Sequence, residues 1–191
     1  MSITSMRVLT PLLCLGFALG ACVAGPTLVS KSAVVPDGVD FTGMWQLRNG
    51  SGVERRSDNA ASREDLIVLD RDADPRRGRS KSNRSVQVFI EYGESLKITQ
   101  TRYGLFISYD RSVVEEFTFG ENREVTIGPI EAMRASGWEG DSLVIETLDD
   151  AGSILSESWR FEGSKDVLVR NIRITKGDTE IFSRRQVFDR I

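Results

Sequence analysis

An all-β fold, an antiparallel up-and-down meander of about eight to ten strands closing into a barrel, is what this 191-residue sequence predicts. Three observations predict it. From Val86 onward apolar side chains recur at every second residue, the period of a strand with one buried face. Glycine, aspartate and asparagine cluster between successive apolar runs, where tight hairpins need them. The runs follow too closely to leave room for the helices that parallel strands require.

The chain begins with one positive charge, Arg7, and an apolar stretch from Val8 to Ala21 interrupted by Thr10 and Pro11. That stretch is shorter than the roughly 20 residues needed to cross a bilayer core. A charged start, a short apolar centre and small residues at its end form the pattern of a cleaved signal peptide over residues 1–21. Leu19-Gly20-Ala21-Cys22 resembles the bacterial lipobox, which implies lipidation of Cys22 as residue one of the mature chain. Val23 follows instead of aspartate, which by the same resemblance favours the outer membrane, with the domain on its periplasmic face. Cleavage discards Cys14 and occupies Cys22, so the mature chain keeps no thiol for a disulfide and must rely on its core.

Residues 22–39 have no sustained period and contain Pro26, Pro36 and two glycines, which predicts a lipidated flexible tether. A single barrel domain is predicted over 40–191, opening with "DFTGMWQL". "SDNAASREDL" suggests a short helical turn capped by Ser57 or Asp58. Residues 70–85, "DRDADPRRGRSKSNRS", are almost wholly polar and read as an exposed basic loop. "VQVFIEY" then opens the alternation with Val86, Val88, Ile90 and Tyr92 on one face, and "SLKITQ" repeats it with Leu96 and Ile98. Turns are expected at Gly93-Glu94, Gly120-Glu121-Asn122, Gly140-Asp141, Asp150-Ala151-Gly152, Gly163-Ser164 and Gly177-Asp178. In "VLVRNIRIT" the parity is mixed, so either both faces are partly buried or a bulge shifts the phase near Arg170 and Asn171.

Gly43-Met44-Trp45 resembles the glycine–any–tryptophan signature of lipocalins and other calycins. The resemblance implies a tryptophan closing one end of the barrel and an arginine of the last strands packed across its ring, here Arg190 or, failing that, Arg185. "SLKITQ", "SGWEGDSLVIET" and "WRFEGSKDVLVRNIRI…QVFDR" add a resemblance to bacterial secreted lipocalin-like proteins of unassigned function. It departs from their pattern at 50–85 and at 163–166.

Catalytic chemistry is sparse. There is no histidine, which removes the commonest general base, histidine-paired nucleophiles and histidine metal sites. No acyl-transfer serine motif or phosphate-binding loop occurs. Asp70, Asp72 and Asp74 have calcium-loop spacing, but Pro75 and Lys81 stand where glycine and glutamate are needed. Glu115 and Glu116 are adjacent in a strand, so one of them faces inward and needs a cationic partner. Removing residues 1–21 leaves 24 basic and 28 acidic side chains, a surface unlike that of a nucleic-acid binder.

Arg76, Arg77, Arg79, Lys81 and Arg84, with no acid among them, suit contact with an anionic surface. The expectation is a non-enzymatic module without cofactor or metal, held at the membrane through Cys22. Its expected partner is a small apolar or amphipathic ligand held in the barrel; the alternative is an envelope protein engaged by a packed barrel.

Overall fold

Period-two alternation becomes strand from Ser95 to Arg190 in the computed structural model, which describes residues 25–51, the backbone of 53–56, and 86–191. Among the described residues eleven strands form, in chain order β1 (Gly43–Leu47), β2 (Val53–Arg56), β3 (Ser95–Gln100), β4 (Gly104–Tyr109), β5 (Val113–Thr118), β6 (Glu121–Ile127), β7 (Ile130–Glu139), β8 (Ser142–Asp149), β9 (Ser153–Glu162), β10 (Ser164–Lys176) and β11 (Thr179–Arg190). Their order in the sheet is β5-β4-β3-β1-β11-β10-β9-β8-β7-β6, and every pairing is antiparallel. First and last strands pair through Trp45–Arg190 and Leu47–Phe188, so the meander curls into a nearly closed barrel. β2 continues along β11 beyond β1, pairing Val53 with Arg185 and Arg56 with Phe182.

The ring stays open between β5 and β6. These strands diverge from the turn at Phe119-Gly120 and share no ladder among the described residues. Side chains cross the opening instead: the Arg123 guanidinium donates to the Glu116 carbonyl at 3.1 Å, and the Ser136 hydroxyl to the Thr118 carbonyl at 2.7 Å.

Glycines 120, 140, 152, 163 and 177 take the positive φ that their turns require. The β4–β5 turn lacks a glycine and places Asp110 and Arg111 at positive φ instead. There the Asp110 carboxylate accepts from the Glu94 and Ser95 amides, which holds its pKa below the ordinary aspartate value.

Inward positions build two apolar layers. One, toward the end where Phe41 enters, contains Phe41, Trp45, Leu96, Ile107, Phe117, Trp138, Trp159 and Phe188. The other contains Val86, Phe89, Ile90, Leu155, Ile172, Ile174 and Phe182.

Three sequence expectations are corrected or resolved here. "VQVF" is a 3₁₀ turn over Val86–Phe89 instead of a strand. Val86 and Phe89, three apart, share a face of that turn and are buried, so burial chose the helical spacing over the alternating one. In β10 both faces are buried at mid-strand: Leu168, Arg170, Ile172 and Ile174 face inward, and Val169 is covered on the outside. Register shifts lie elsewhere, at Ser164/Leu168 against β9 and at Ile174/Thr175 against β11.

Residues 25–39 do not hang as a tether. Ser32 and Trp138 exchange backbone hydrogen bonds at 3.2 and 2.9 Å, and Lys31 is clamped between Glu139 and Glu146 at 2.5 and 2.8 Å. Val35 and Val39 pack on the apolar layer behind Phe41. The physical reason is specific pairing, which composition does not display. Cys22, the turn expected near Ser57, the aspartates at 70–74 and the basic loop lie outside the described residues.

Candidate functional site

Between the two apolar layers the barrel holds a layer of charge. Arg170 on β10 is fully buried. Its guanidinium donates through Nε to Glu157 on β9 at 2.8 Å and again through Nη2 to the same carboxylate. Nη1 donates to the Glu91 carbonyl at 2.6 Å and to the Gln186 side chain at 3.2 Å. The same cation lies 4.8 Å from the Trp159 ring and 5.7 Å from that of Tyr109. Cross-strand register produces the cluster, because Trp159 and Gln186 sit opposite Arg170 on its two neighbouring strands. Burial alone would lower the arginine pKa; Glu157 and the surrounding groups outweigh it, so the charge persists.

Arg134 on β7 forms the second centre. Nε donates to the Thr147 hydroxyl at 3.1 Å, and Nη1 lies 3.5 Å from Glu115 on β5. Its guanidinium rests between the Phe89 and Phe117 rings at 5.6 and 5.5 Å. Of the adjacent acids, Glu115 is the one that faces inward, and Glu116 is exposed. Desolvation, then repulsion from Glu157, pushes the Glu115 pKa up to about 7 against the opposing pull of Arg134 and Arg170. Burial likewise drives the Tyr109 hydroxyl well above the ordinary tyrosine range. That hydroxyl is turned toward Glu115 without reaching hydrogen-bond geometry, so Tyr109 Oη and Glu115 Oε2 are buried without partners.

The far end of the barrel is closed by aromatic rings. Trp45 donates its indole N–H to the Phe41 carbonyl at 3.0 Å. Phe41 packs against Trp138 and Phe161 at 5.5 and 5.0 Å. Arg190 lies over the Trp45 ring at 4.2 Å, donating to the carbonyls of Thr42 at 2.7 Å and Lys165 at 3.0 Å. Gly43 sits beneath that guanidinium, where a side chain would collide with it. Arg185 points outward and pairs with Glu162. The structure thus brings Gly43, Trp45 and Arg190 together and leaves Arg185 apart. Arg170, Glu157, Arg134 and Gln186 were not singled out from the sequence; the mixed parity around Arg170 was the available signal.

Outside the barrel, a hollow of about 670 Å³ lies over β8–β11. Outward-facing Ser156, Ser158, Asn171 and Ser183 form its floor, with Glu146 and Arg173 at its sides. Among the described residues no group of three or more His, Cys, Asp or Glu is placed to hold a metal ion.

No family model matches this chain, and no curated protein matches it. Solved structures do. A fatty-acid-binding protein from Manduca sexta matches at 17% identity over 50% of this chain and 71% of its own, with a TM-score of 0.36. A fatty acid transporter, REP1-NXSQ, matches at 12% identity over 80% and 96%, with a TM-score of 0.44. A secretory abundant heat soluble protein from Ramazzottius varieornatus matches at 12% over 78% and 94%, also at 0.44. At such scores the fold assignment rests on this chain's own strand order and register: an all-β antiparallel meander in a nearly closed barrel.

Proposed function

We propose that this chain is a lipid-anchored, non-enzymatic protein of the bacterial envelope, seated in the outer membrane through Cys22, whose packed barrel works through its outer surface on protein partners. The observation that carries this reading is the filled interior. Trp45, Trp159, Arg170, Tyr109, Phe89 and Phe117, drawn from both layers and the charged layer between them, are each less than 2% exposed. Side chains lining a hollow that admitted even one water would expose surface to it. Trp45, with Gly43 and Arg190, closes one end of the barrel, and Arg76, Arg77, Arg79, Lys81 and Arg84 supply cations for anionic headgroups.

A second reading, in which the barrel carries a small apolar or amphipathic ligand, is favoured by the partnerless Tyr109 Oη and Glu115 Oε2 and by the unladdered β5–β6 opening. Native mass spectrometry of the acylated protein purified from its own membrane separates the two. The scaffold reading expects the mass of the acylated chain alone. A discrete excess that denaturation releases would overturn it in favour of the carrier. For the anchor, Cys22→Ser should leave the precursor unprocessed and the protein off the membrane; normal retention would refute it.

A further inference from the structure

The meander has two edge strands, and both line the same gap. Among the described residues β5 ladders only with β4, and β6 only with β7. Near the turn, where the strands converge, the Ser136 hydroxyl takes the Thr118 carbonyl. Farther along, the Glu116 carbonyl turns into the gap and accepts from the Arg123 guanidinium. A side chain stands there in place of the amide of a neighbouring strand. An inserted strand needs its flanking strands about 10 Å apart, a span that one arginine side chain and one hydrogen bond can cover.

Edge strands are kept from pairing by lysine, proline, bulges or charge. β5 and β6 contain no lysine and no proline, and their registers with β4 and β7 run without a shift. What they carry is charge, and on the outer face it has one sign. Glu115 and Phe117 face in, so Val114, Glu116 and Thr118 face out. Val125 packs on the second apolar layer, so Asn122, Glu124 and Thr126 face out. Glu131, beside Thr126 on β7, extends the row. Glu116, Glu124 and Glu131 are exposed, and none of their carboxylates has a partner among the described residues. Such a row repels a second copy offered edge to edge and attracts a cationic strand.

We infer that the β5–β6 opening is a strand-addition site for an extended segment of a partner protein, with lysine or arginine at alternate positions. The inference rests on the proposed reading that the barrel works through its surface on protein partners. The segment's amide replaces Arg123 at the Glu116 carbonyl, and its cationic row meets Glu116 and Glu124. Its other row covers Val113, Val125 and Ile127 on the inward side. Arg123 leaves readily, because its side chain is 46% exposed and keeps Glu121 at 3.7 Å.

The test uses the full acylated protein in detergent with three short synthetic peptides. One alternates lysine and valine, the second is the same peptide fully N-methylated, and the third alternates glutamate and valine. Binding is read by fluorescence anisotropy and by hydrogen exchange of the gap-facing amides, Glu116 among them. Expected are saturable binding of the lysine–valine peptide with slowed exchange, and none by the other two. The double variant Glu116→Lys/Glu124→Lys should bind it at least about tenfold more weakly. No saturable binding, binding that survives N-methylation or charge reversal, or binding without slowed exchange would overturn the site. Slow exchange before any peptide is added would also overturn it, in favour of a second copy if dilution speeds the exchange and of this chain's own residues if it does not. A photoreactive residue in place of Val114, or of Arg160 on the outer face of β9, is then crosslinked in isolated envelopes. Adducts at 114 should vanish when excess lysine–valine peptide competes; their persistence would overturn the site. Adducts at 160 alone would overturn it and leave the partner reading standing, and adducts at neither would remove both.

Discussion

Glu115→Gln should make the barrel more stable at pH 8 and leave it nearly unchanged at pH 5. Glu115 is walled by Arg134 at 3.5 Å, by Tyr109, and by the charges of Glu157, Arg170 and Glu91. In the folded barrel its carboxyl keeps a proton up to about pH 7, whereas an ordinary glutamate releases it near 4.5. Between those values the folded state binds more protons than the unfolded one, so stability falls as pH rises through the window and levels off above it. A difference of about 2.5 units corresponds to roughly 3 kcal/mol. For a domain of this size that is on the order of 6–12 °C in Tm.

Glutamine cannot ionise, so the variant should escape this loss. Melting followed by circular dichroism from pH 5 to 8 should give curves that nearly coincide at pH 5, separate between there and about pH 7, and keep a constant gap above it, the variant higher. Asp110 and Asp189, whose pKa values are lowered, contribute stability that disappears only as pH falls below about 4, outside the window and equally in both proteins. Parallel curves, or a variant less stable at pH 8, would show that Arg134 fully compensates the buried carboxylate and would refute the reasoning.

Trp45→Ala should cost about 3–5 kcal/mol in urea unfolding, as expected for deleting a fully buried aromatic. An unchanged midpoint would remove its closing role. Arg190→Ala, at a partly exposed cation, should cost about 1 kcal/mol in the same titration. Arg170→Ala strands Glu157 in the interior and should cost about 3–5 kcal/mol. Combining Arg170→Met with Glu157→Leu should recover most of that loss, and a double-mutant cycle showing simple additivity would count against a coupled pair. Gly137→Ala should push the Ser32 carbonyl off β7, seen as faster proteolysis within residues 25–40 while the barrel stays folded.

Strands and turns were legible because a half-buried strand writes its two faces directly into the sequence. Leu96 and Ile98 alternate with Lys97 and Thr99, and the barrel places them accordingly. The course of residues 25–39 along the barrel was not legible, since it is held by two backbone hydrogen bonds to Trp138, a few single side-chain contacts, one clamped lysine and close passage over Gly137 on a distant strand, none of which leaves a period. Val86–Phe89 misled because four residues with apolar positions at 1, 3 and 4 fit a strand and a 3₁₀ turn alike. Trp45 and Arg190 were legible only through resemblance, whereas their register across β1 and β11 required the closed ring. The charged layer escaped notice for a related reason. Parity assigned one of Glu115 and Glu116 to the interior, but its partner Arg134 lies on β7, across an opening that no ladder predicts.

Barrel width explains why that layer exists. Eight strands enclose an interior that side chains just fill, and diameter grows with strand number. The ring here has ten strands, so ordinary aliphatic residues cannot meet across its middle. One solution is a cavity; the other is longer side chains. Arg170, Arg134, Tyr109 and Trp159 reach inward at mid-barrel, and the 3₁₀ turn lays Val86 and Phe89 over the second layer. Long side chains of that size bring charge, and charge in a dry interior demands Glu157, Glu115, Gln186 and Thr147 as partners. The described residues contain no cysteine, and the barrel is held by two apolar layers joined through an ionic one. Such a layer leaves a ligand no entry unless a pair opens, and Glu115, whose proton comes and goes near pH 7 on the edge strand of the opening, belongs to the pair whose charge pH changes most readily.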